Sequence, residues 1–313
     1  MVDIVSVGIT KIDFMPRENF ESISDVKSFE IIPSGSAVNF ALVSARLGLN
    51  VGLLSCVSSD EFGEYVYSYL KDNKIDVSHL KKVKETQLTT SIYAINKKIT
   101  EDVSYTQENA PEKSFVFDDA LKDYLKNKKL IYTTESFLRQ KKTRDEVFKL
   151  LKYANEQNIT VAYDPGIKEE LWSDSPDAII EAHEKIIEYV DIYFSDTQEI
   201  KWIANSVSLG DSVKFVYELG PEIIVLRHGT RGVLIFDGRE LIKVPLHKIP
   251  TSNVLNGDDI FNAAFLYLHL REYDLHTCGL FAQHILSAKK TQSWHIDIDE
   301  NNVVGFMREH KRE

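Results

Sequence analysis

The stretch LIYTTESFLRQKKTRDEVFKLLKYANEQNITVAY, Leu130 to Tyr163, opens on a short apolar run, Leu130 to Tyr132. It passes through helical spacing from Lys142 to Gln157 and ends on a second apolar run, Val161 to Tyr163. Two strand-length runs joined by a helical segment describe a parallel strand pair, because parallel strands need a crossover long enough to return the chain to the same edge. The pattern extends both ways. Ile4 to Val7, Val51 to Cys56, Ile192 to Phe194, Ile223 to Leu226 and Val233 to Phe236 are further buried-strand runs. Between them Ala37 to Leu47, Phe62 to Asn73, Pro176 to Tyr189, Asp211 to Glu218 and Asp259 to Arg271 carry helical spacing. This alternation predicts an α/β fold: a doubly wound, mostly parallel sheet flanked by helices on both faces.

Two regions interrupt the rhythm. Residues 12–33 and 85–110 hold alternating or β-branched segments, among them Phe29-Glu30-Ile31-Ile32 and Thr89 to Ile95, without helices between them. They are expected to pair as a small separate sheet inserted in a single domain spanning 1–313, since no Pro-rich linker, repeat or low-complexity tract divides the chain. With 43 % hydrophobic and 27 % charged residues the composition is that of an ordinary folded chain.

A formal charge of -11 argues against a nucleic-acid surface, which needs clustered Lys and Arg to displace counterions. The basic runs Lys81-Lys82-Val83-Lys84 and Lys126-Asn127-Lys128-Lys129 are short and sit among acids, as solvated surface does. No segment approaches the roughly 18 uninterrupted apolar residues that span a bilayer, and no basic leader precedes the first apolar run. Neither nucleic acid nor membrane is expected as a partner, and a cytoplasmic location is the expectation. The two cysteines, Cys56 and Cys278, lie in apolar stretches without CxxC spacing and read as buried thiols.

Ligands of open α/β sheets bind beyond the carboxyl ends of the strands, often where a loop opens a helix with unpaired amides. Asn253-Val254-Leu255-Asn256-Gly257-Asp258-Asp259-Ile260-Phe261 fits that description, since Ile260, Phe261, Ala264, Phe265 and Leu268 follow helical spacing and place both acids at the helix N-terminus. Two roles are open to them. Asp suits a helix cap and first turn; alternatively one carboxylate accepts a hydroxyl proton while loop amides hold phosphoryl oxygens. Earlier, Pro33-Ser34-Gly35-Ser36-Ala37-Val38-Asn39 leads into Ala41 to Gly48. Gly35 would let backbone approach a ligand and Asn39 could hydrogen-bond a sugar hydroxyl; the plainer reading is a loop and a packed helix.

In order and spacing these segments resemble the PfkB, or ribokinase-like, carbohydrate kinases. The late segment is similar to the family's D-T-x-G-A-G-D-x-F signature: aligned on Phe261, Asp259 stands on its catalytic Asp, Gly257 on its Ala, Asn256 and Asp258 on glycines, and Asn253 on its leading Asp. A carboxylate at 258 would repel a transferring phosphoryl group unless it points away or binds a cation. The early segment resembles G-G-x-x-x-N-x-A-x-x-x-x-R-L-G, with Ser34 for the first Gly, and Asp13 resembles the family's Asp on substrate hydroxyls. Asp164-Pro165-Gly166-Ile167-Lys168 with Leu171-Trp172 is similar to the D-P-N-x-R-x-x-L-W stretch of sugar and ketodeoxysugar kinases. Lys168 there is either a substrate contact without Arg's bidentate fork or an exposed side chain. Asp196-Thr197-Gln198-Glu199 stands for an N-x-x-E that helps hold Mg²⁺, and Arg227-His228-Gly229-Thr230-Arg231-Gly232 resembles a turn along the nucleotide. His295, Asp297 and Asp299 read as strand alternation rather than metal ligands.

The resemblance implies a ribokinase-like fold in which the inserted strands form a small β-sheet lid, with ATP and Mg²⁺ as cofactors and a homodimer pairing through that lid. Asn256, Gly257, Asp258 and Asp259 would be catalytic, with Asp259 the general base. Asp13, Gly35, Asn39 and Lys168 would bind the acceptor, Asp196, Arg227, Gly229 and Gly232 the nucleotide, and Glu199 the metal, indirectly. The expected reaction is phosphorylation of a primary hydroxyl on a sugar or ketodeoxysugar acid. A nucleoside kinase, and a non-catalytic ligand sensor that has lost the chemistry through its altered loop, stand as alternatives.

Overall fold

A computed structural model describes residues 3–17, 23–95, 100–105, 108–246, 256–288, 298 and 300–310. In chain order the elements are β1 (Ile4–Val7), β2 (Lys11–Pro16), β3 (Phe29–Ser34), α1 (Ser36–Arg46), β4 (Val51–Ser58), α2 (Glu61–Asp72), β5 (Leu80–Val83), β6 (Thr89–Ile95) and β7 (Thr100–Tyr105). There follow α3 (Asp119–Leu125), β8 (Leu130–Thr134), α4 (Lys141–Glu156), β9 (Thr160–Asp164), α5 (Pro176–Ile187), β10 (Ile192–Asp196), α6 (Glu199–Ile203), α7 (Leu209–Leu219) and β11 (Ile223–Arg227). The chain continues with β12 (Val233–Phe236), β13 (Leu241–Val244), α8 (Gly257–His269), α9 (Leu275–Ala288) and α10 (Glu300–His310).

Among the described residues the main sheet has nine strands in the order β13-β12-β11-β10-β9-β8-β1-β4-β5. The run from β11 to β5 is parallel throughout, and only β12 and β13 are antiparallel. The side chains alternate between two cores. Ile4, Tyr132, Ala162, Phe194 and Val225 face one, with Phe40 of α1 and Phe261 and Phe265 of α8; Val5, Ile131, Tyr163, Tyr193 and Leu226 face the other, with Leu151 of α4 and Ile186 of α5. A sheet buried on both faces requires apolar residues at consecutive strand positions, which is why the strands read as continuous runs rather than as alternation.

The two interruptions of the rhythm pair with each other. The second sheet has the order β3-β2-β6-β7, with β2 antiparallel to β3 and parallel to β6 in a register that sets Asp13 opposite Ser91. It packs on α2 through Phe14, whose ring meets Phe29 and Phe62 edge-on at 6.3 Å. The Asp60 carboxylate caps α2 by accepting from the Gly63 amide, so the Ser59 to Gly63 segment serves helix initiation. Cys56 and Cys278 are buried and unpaired, and burial pushes both thiols up to about 12. Among the described residues no helix is long and apolar enough to cross a membrane.

The order of the main sheet fixes where a ligand can sit. The chain moves from β1 to β4 and β5 on one side, then returns to β8 and proceeds through β9, β10 and β11 on the other. Adjacent connections therefore diverge at the β1/β8 boundary and open a crevice at the carboxyl ends.

Candidate active site

Polar side chains line those carboxyl ends: Glu135 follows β8, Asp164 ends β9, Asp196 ends β10 and Arg227 ends β11. Sheet register sets Thr134 beside Asp164 and Asp196 beside Arg227. From the opposite side α8 presents its N-terminus. Asn256 caps it in the left-handed region, φ 61°, without a side-chain capping bond. Asn is the non-glycine residue that enters that region most readily, so it keeps the backbone path a glycine would give. Ile260 makes the first intrahelical bond, to the Asn256 carbonyl at 3.1 Å, which leaves the amides of Gly257, Asp258 and Asp259 ahead of the helix's own ladder.

The two acids of this turn part company. Asp259 is buried and its Oδ2 accepts from Nδ2 of Asn39 at 3.0 Å. Burial pushes its carboxyl well above the usual range, the Asn39 bond opposes this, and the neighbouring Asp258 and Asp164 charges add to it. Asn39 is held in turn by α1, which packs along α8, while Phe40 stacks on Tyr132 of β8 with ring centroids 3.8 Å apart. Asp258 turns outward, 68 % exposed, and its Oδ1 lies 2.8 Å from Nε of Arg227. Neither acid is occupied by capping.

Arg227 is the centre of the charged network. Its guanidinium donates to both Asp164 oxygens, at 3.0 and 3.3 Å, and to Oδ1 of Asn262 at 3.2 Å, and it lies 3.9 Å from Glu199. Asn262, one helical turn beyond Asp259, completes the arrangement by donating to Asp164 at 2.5 Å and to the Tyr132 hydroxyl at 3.2 Å. Burial raises the Asp164 carboxyl and Arg227 pulls it back, as a buried acid with a bidentate partner requires.

Glu199 and Asp196 form a second acidic pair. Asp196 accepts from the amides of Gln198 and Glu199 and so starts α6. Glu199 accepts from the Ile167 amide at 2.9 Å and, with its other oxygen, from Ser195 and the Asp196 amide at 3.2 Å each. Burial and the Asp164 charge push it up to about 7. Lys168 begins the short turn Glu169–Leu171, and its amide donates to Glu135 at 3.2 Å. Glu135, itself buried, also accepts from Trp172 Nε1 at 2.7 Å and pairs with Arg139.

Residues 1–293 match the sequence model described as pfkB family carbohydrate kinase. The chain belongs to the PfkB family of carbohydrate kinases. It is an enzyme of that class. Similar to it is a 5-dehydro-2-deoxygluconokinase of Clostridium perfringens, 28 % identical over 280 residues that cover 87 % of this chain and 82 % of the relative. Among solved structures, a fructokinase of Xylella fastidiosa with bound ATP superposes with a TM-score of 0.84 at 14 % identity, covering 99 % of each chain. An uncharacterized sugar kinase of Pyrococcus horikoshii in complex with ATP superposes at 0.82 with 22 % identity, covering 96 % of this chain and 97 % of that one.

Within this PfkB fold the other positions singled out in the sequence fall as follows. Gly35 precedes α1 at φ 112°, where a Cβ would lie 2.5 Å from the Ile9 carbonyl oxygen, so the site needs glycine for its close backbone approach. Asp13 is buried on β2 and 3.0 Å from Lys11, which also donates to Ser91 at 3.0 Å. Gly229 and Gly232 bound the turn after β11; Gly229 has open space around its Cα, whereas Gly232 packs directly on Val244. Asn253, His295, Asp297 and Asp299 lie outside the described residues. Asn262, Glu135 and Lys11 were not singled out. Asn262 lies three residues after Asp259 on one helix face and Glu135 directly follows a buried strand, and those placements are the signals that could have found them.

Proposed function

We propose that this PfkB kinase transfers the γ-phosphoryl group of ATP to a primary hydroxyl of a sugar or ketodeoxysugar acid, with Asp259 as general base. The observation that carries the reading is Asp259 itself: a buried carboxylate at the N-terminus of α8, oriented by Asn39, among amides not used by the helix. The acceptor's O–H proton passes to Asp259 as its oxygen bonds to phosphorus, and the bond between the γ-phosphorus and the bridging oxygen breaks to release ADP. The amides of Gly257, Asp258 and Asp259 face the charge that develops on the phosphoryl oxygens. ATP as donor is supported by the two ATP-bound structures of this fold, and the acceptor class by the 5-dehydro-2-deoxygluconokinase relative.

Asp13, Gly35, Asn39 and Lys168 would hold the acceptor. Asp196, Arg227, Gly229 and Gly232 would border the nucleotide, and the second sheet would act as a lid that excludes water from the transfer. The donor set near the phosphates is oxygen-only, which suits Mg²⁺, yet among the described residues no three acidic, His or Cys side chains converge as a metal cage. Glu199 and Asp196 would therefore hold the ion through water, and the ion would supply countercharge to the phosphates. The test is ATP consumption by the purified protein across sugars, ketodeoxysugar acids and nucleosides. Turnover on a sugar acid, falling at least about 10²-fold in Asp259→Asn as loss of a general base does, supports the reading. Turnover undiminished in that variant, or on nucleosides alone, removes it.

A further inference from the structure

We propose that Arg227 is a positioning residue that serves as the built-in countercharge of Asp258, so that nucleotide phosphates meet a partly offset charge beside the N-terminus of α8 rather than a lone carboxylate. This rests on the kinase reading above. A carboxylate in the first turn of α8 repels any phosphate that approaches the same amides, and Asp258 stands immediately before the base, Asp259. The guanidinium is built to answer that charge. Asp164 and Asn262 fix its two terminal nitrogens, at 3.0 to 3.3 Å, and leave Nε to reach Asp258 at 2.8 Å.

Folding stability is a weak reason for the pair. Asp258 is 68 % exposed, and ion pairs with one solvated partner add little to folding. Nor does the helix dipole require it, since an acid in the first turn is already favoured without a cation beside it. What the pair does change is the field at the mouth of the site. There three carboxylates, Asp164, Glu199 and Asp258, surround one guanidinium. Arg227 therefore acts on the nucleotide through Asp258, and the two side chains should be energetically coupled in ATP binding but not in acceptor binding.

A double-mutant cycle reads that coupling. ATP dissociation constants by calorimetry, with KM for ATP and for the acceptor, are measured for the native chain, Asp258→Gly, Arg227→Met and the double variant. Arg227→Met is expected to weaken ATP binding about tenfold or more in the native background and no more than about threefold in the Asp258→Gly background. Its effect on the acceptor KM should be equal in both. The cost of leaving Asp164 without its partner is common to both backgrounds and cancels. Equal weakening of ATP binding in the two backgrounds would overturn the inference. Should Arg227→Met not fold, Arg227→Gln takes its place in the same cycle: ATP binding weakened in the native background but not with Asp258→Gly supports the countercharge. Equal weakening in both backgrounds refutes it. A native chain that bound no ATP would sink the kinase reading itself, whereas tight ATP binding with additive variants would sink only this inference.

Discussion

Asn39 and Asp259, 220 residues apart in sequence, meet across the site in a single hydrogen bond of 3.0 Å. The bond joins the two segments that the sequence singled out separately, the loop entering α1 and the first turn of α8. Because the amide donates to the charged form of the carboxylate, it both orients Asp259 and partly offsets the cost of burying it.

Asn39→Leu should therefore do two things. Turnover is expected to fall about tenfold or more, within the range that a positioned acid–base group contributes. The acidic limb of the rate profile should also move to higher pH, since a bond that lowers the Asp259 carboxyl is lost. Steady-state rates from pH 5 to 9 separate the two: a lower plateau with an unmoved limb would mean that Asn39 only shapes the acceptor pocket.

Asp258 bears on the same limb with the opposite sign. Its charge raises the Asp259 carboxyl, so kcat/KM for the acceptor should rise with pH as Asp259 loses its proton, at a pH above the ordinary carboxylate range. Asp258→Asn removes a like charge and should move that rise to lower pH. An unmoved profile in this variant would show that the exposed Asp258 charge is screened from Asp259.

Much of this arrangement was legible in the chain because buried parallel strands and crossover helices impose different periods on apolar residues. Leu130 to Tyr163 showed both, and the structure has β8, α4 and β9 there. Asp259 was legible because acids crowd the start of an apolar helical pattern. The partner of Asp258 was not: Arg227 ends a strand that is adjacent only through sheet order, and its pairing with Asp164 depends on β9 and β11 flanking β10. Asn262 stayed hidden for a similar reason. In sequence it is one polar residue within a buried helix face, and only the fold brings it to Asp164.

Gly232 tests the backbone after β11. It holds φ 90°, and a Cβ there would lie 2.1 Å from the Val244 carbonyl oxygen. Gly232→Ala should lower unfolding stability by about 1–3 kcal/mol from the strained conformation alone, with the clash in addition. Gly229, with open space around its Cα, should tolerate alanine better, at the cost of its own positive φ. Denaturant unfolding of the two variants gives the comparison, and equal losses would mean that the turn relaxes to admit a side chain.

His183 and Glu199 should tilt the stability profile in opposite directions. His183 is fully buried and Nδ1 shares a 2.7 Å bond with the Tyr163 hydroxyl; burial, with Arg144 and Arg139 nearby, pushes its imidazole down to about 3. A group depressed in the folded state contributes stability that is present above its unfolded pKa, near 6.5, and is lost as pH falls toward 3. Glu199 is raised to about 7 from 4.5, so its contribution is present below 4.5 and is lost as pH rises through 7. Between about 4.5 and 6.5 the two slopes oppose each other, against the decline with rising pH that the raised carboxyls of Asp259, Asp164 and Glu135 add. Glu199→Gln removes one of the two slopes, and the slope of unfolding free energy against pH across that interval should become more positive than in the native protein. His183→Phe should do the reverse and make that slope more negative. If both variants kept the native profile, the pH dependence would belong to other groups, with Asp164 and Glu135, also raised by burial, the first to examine.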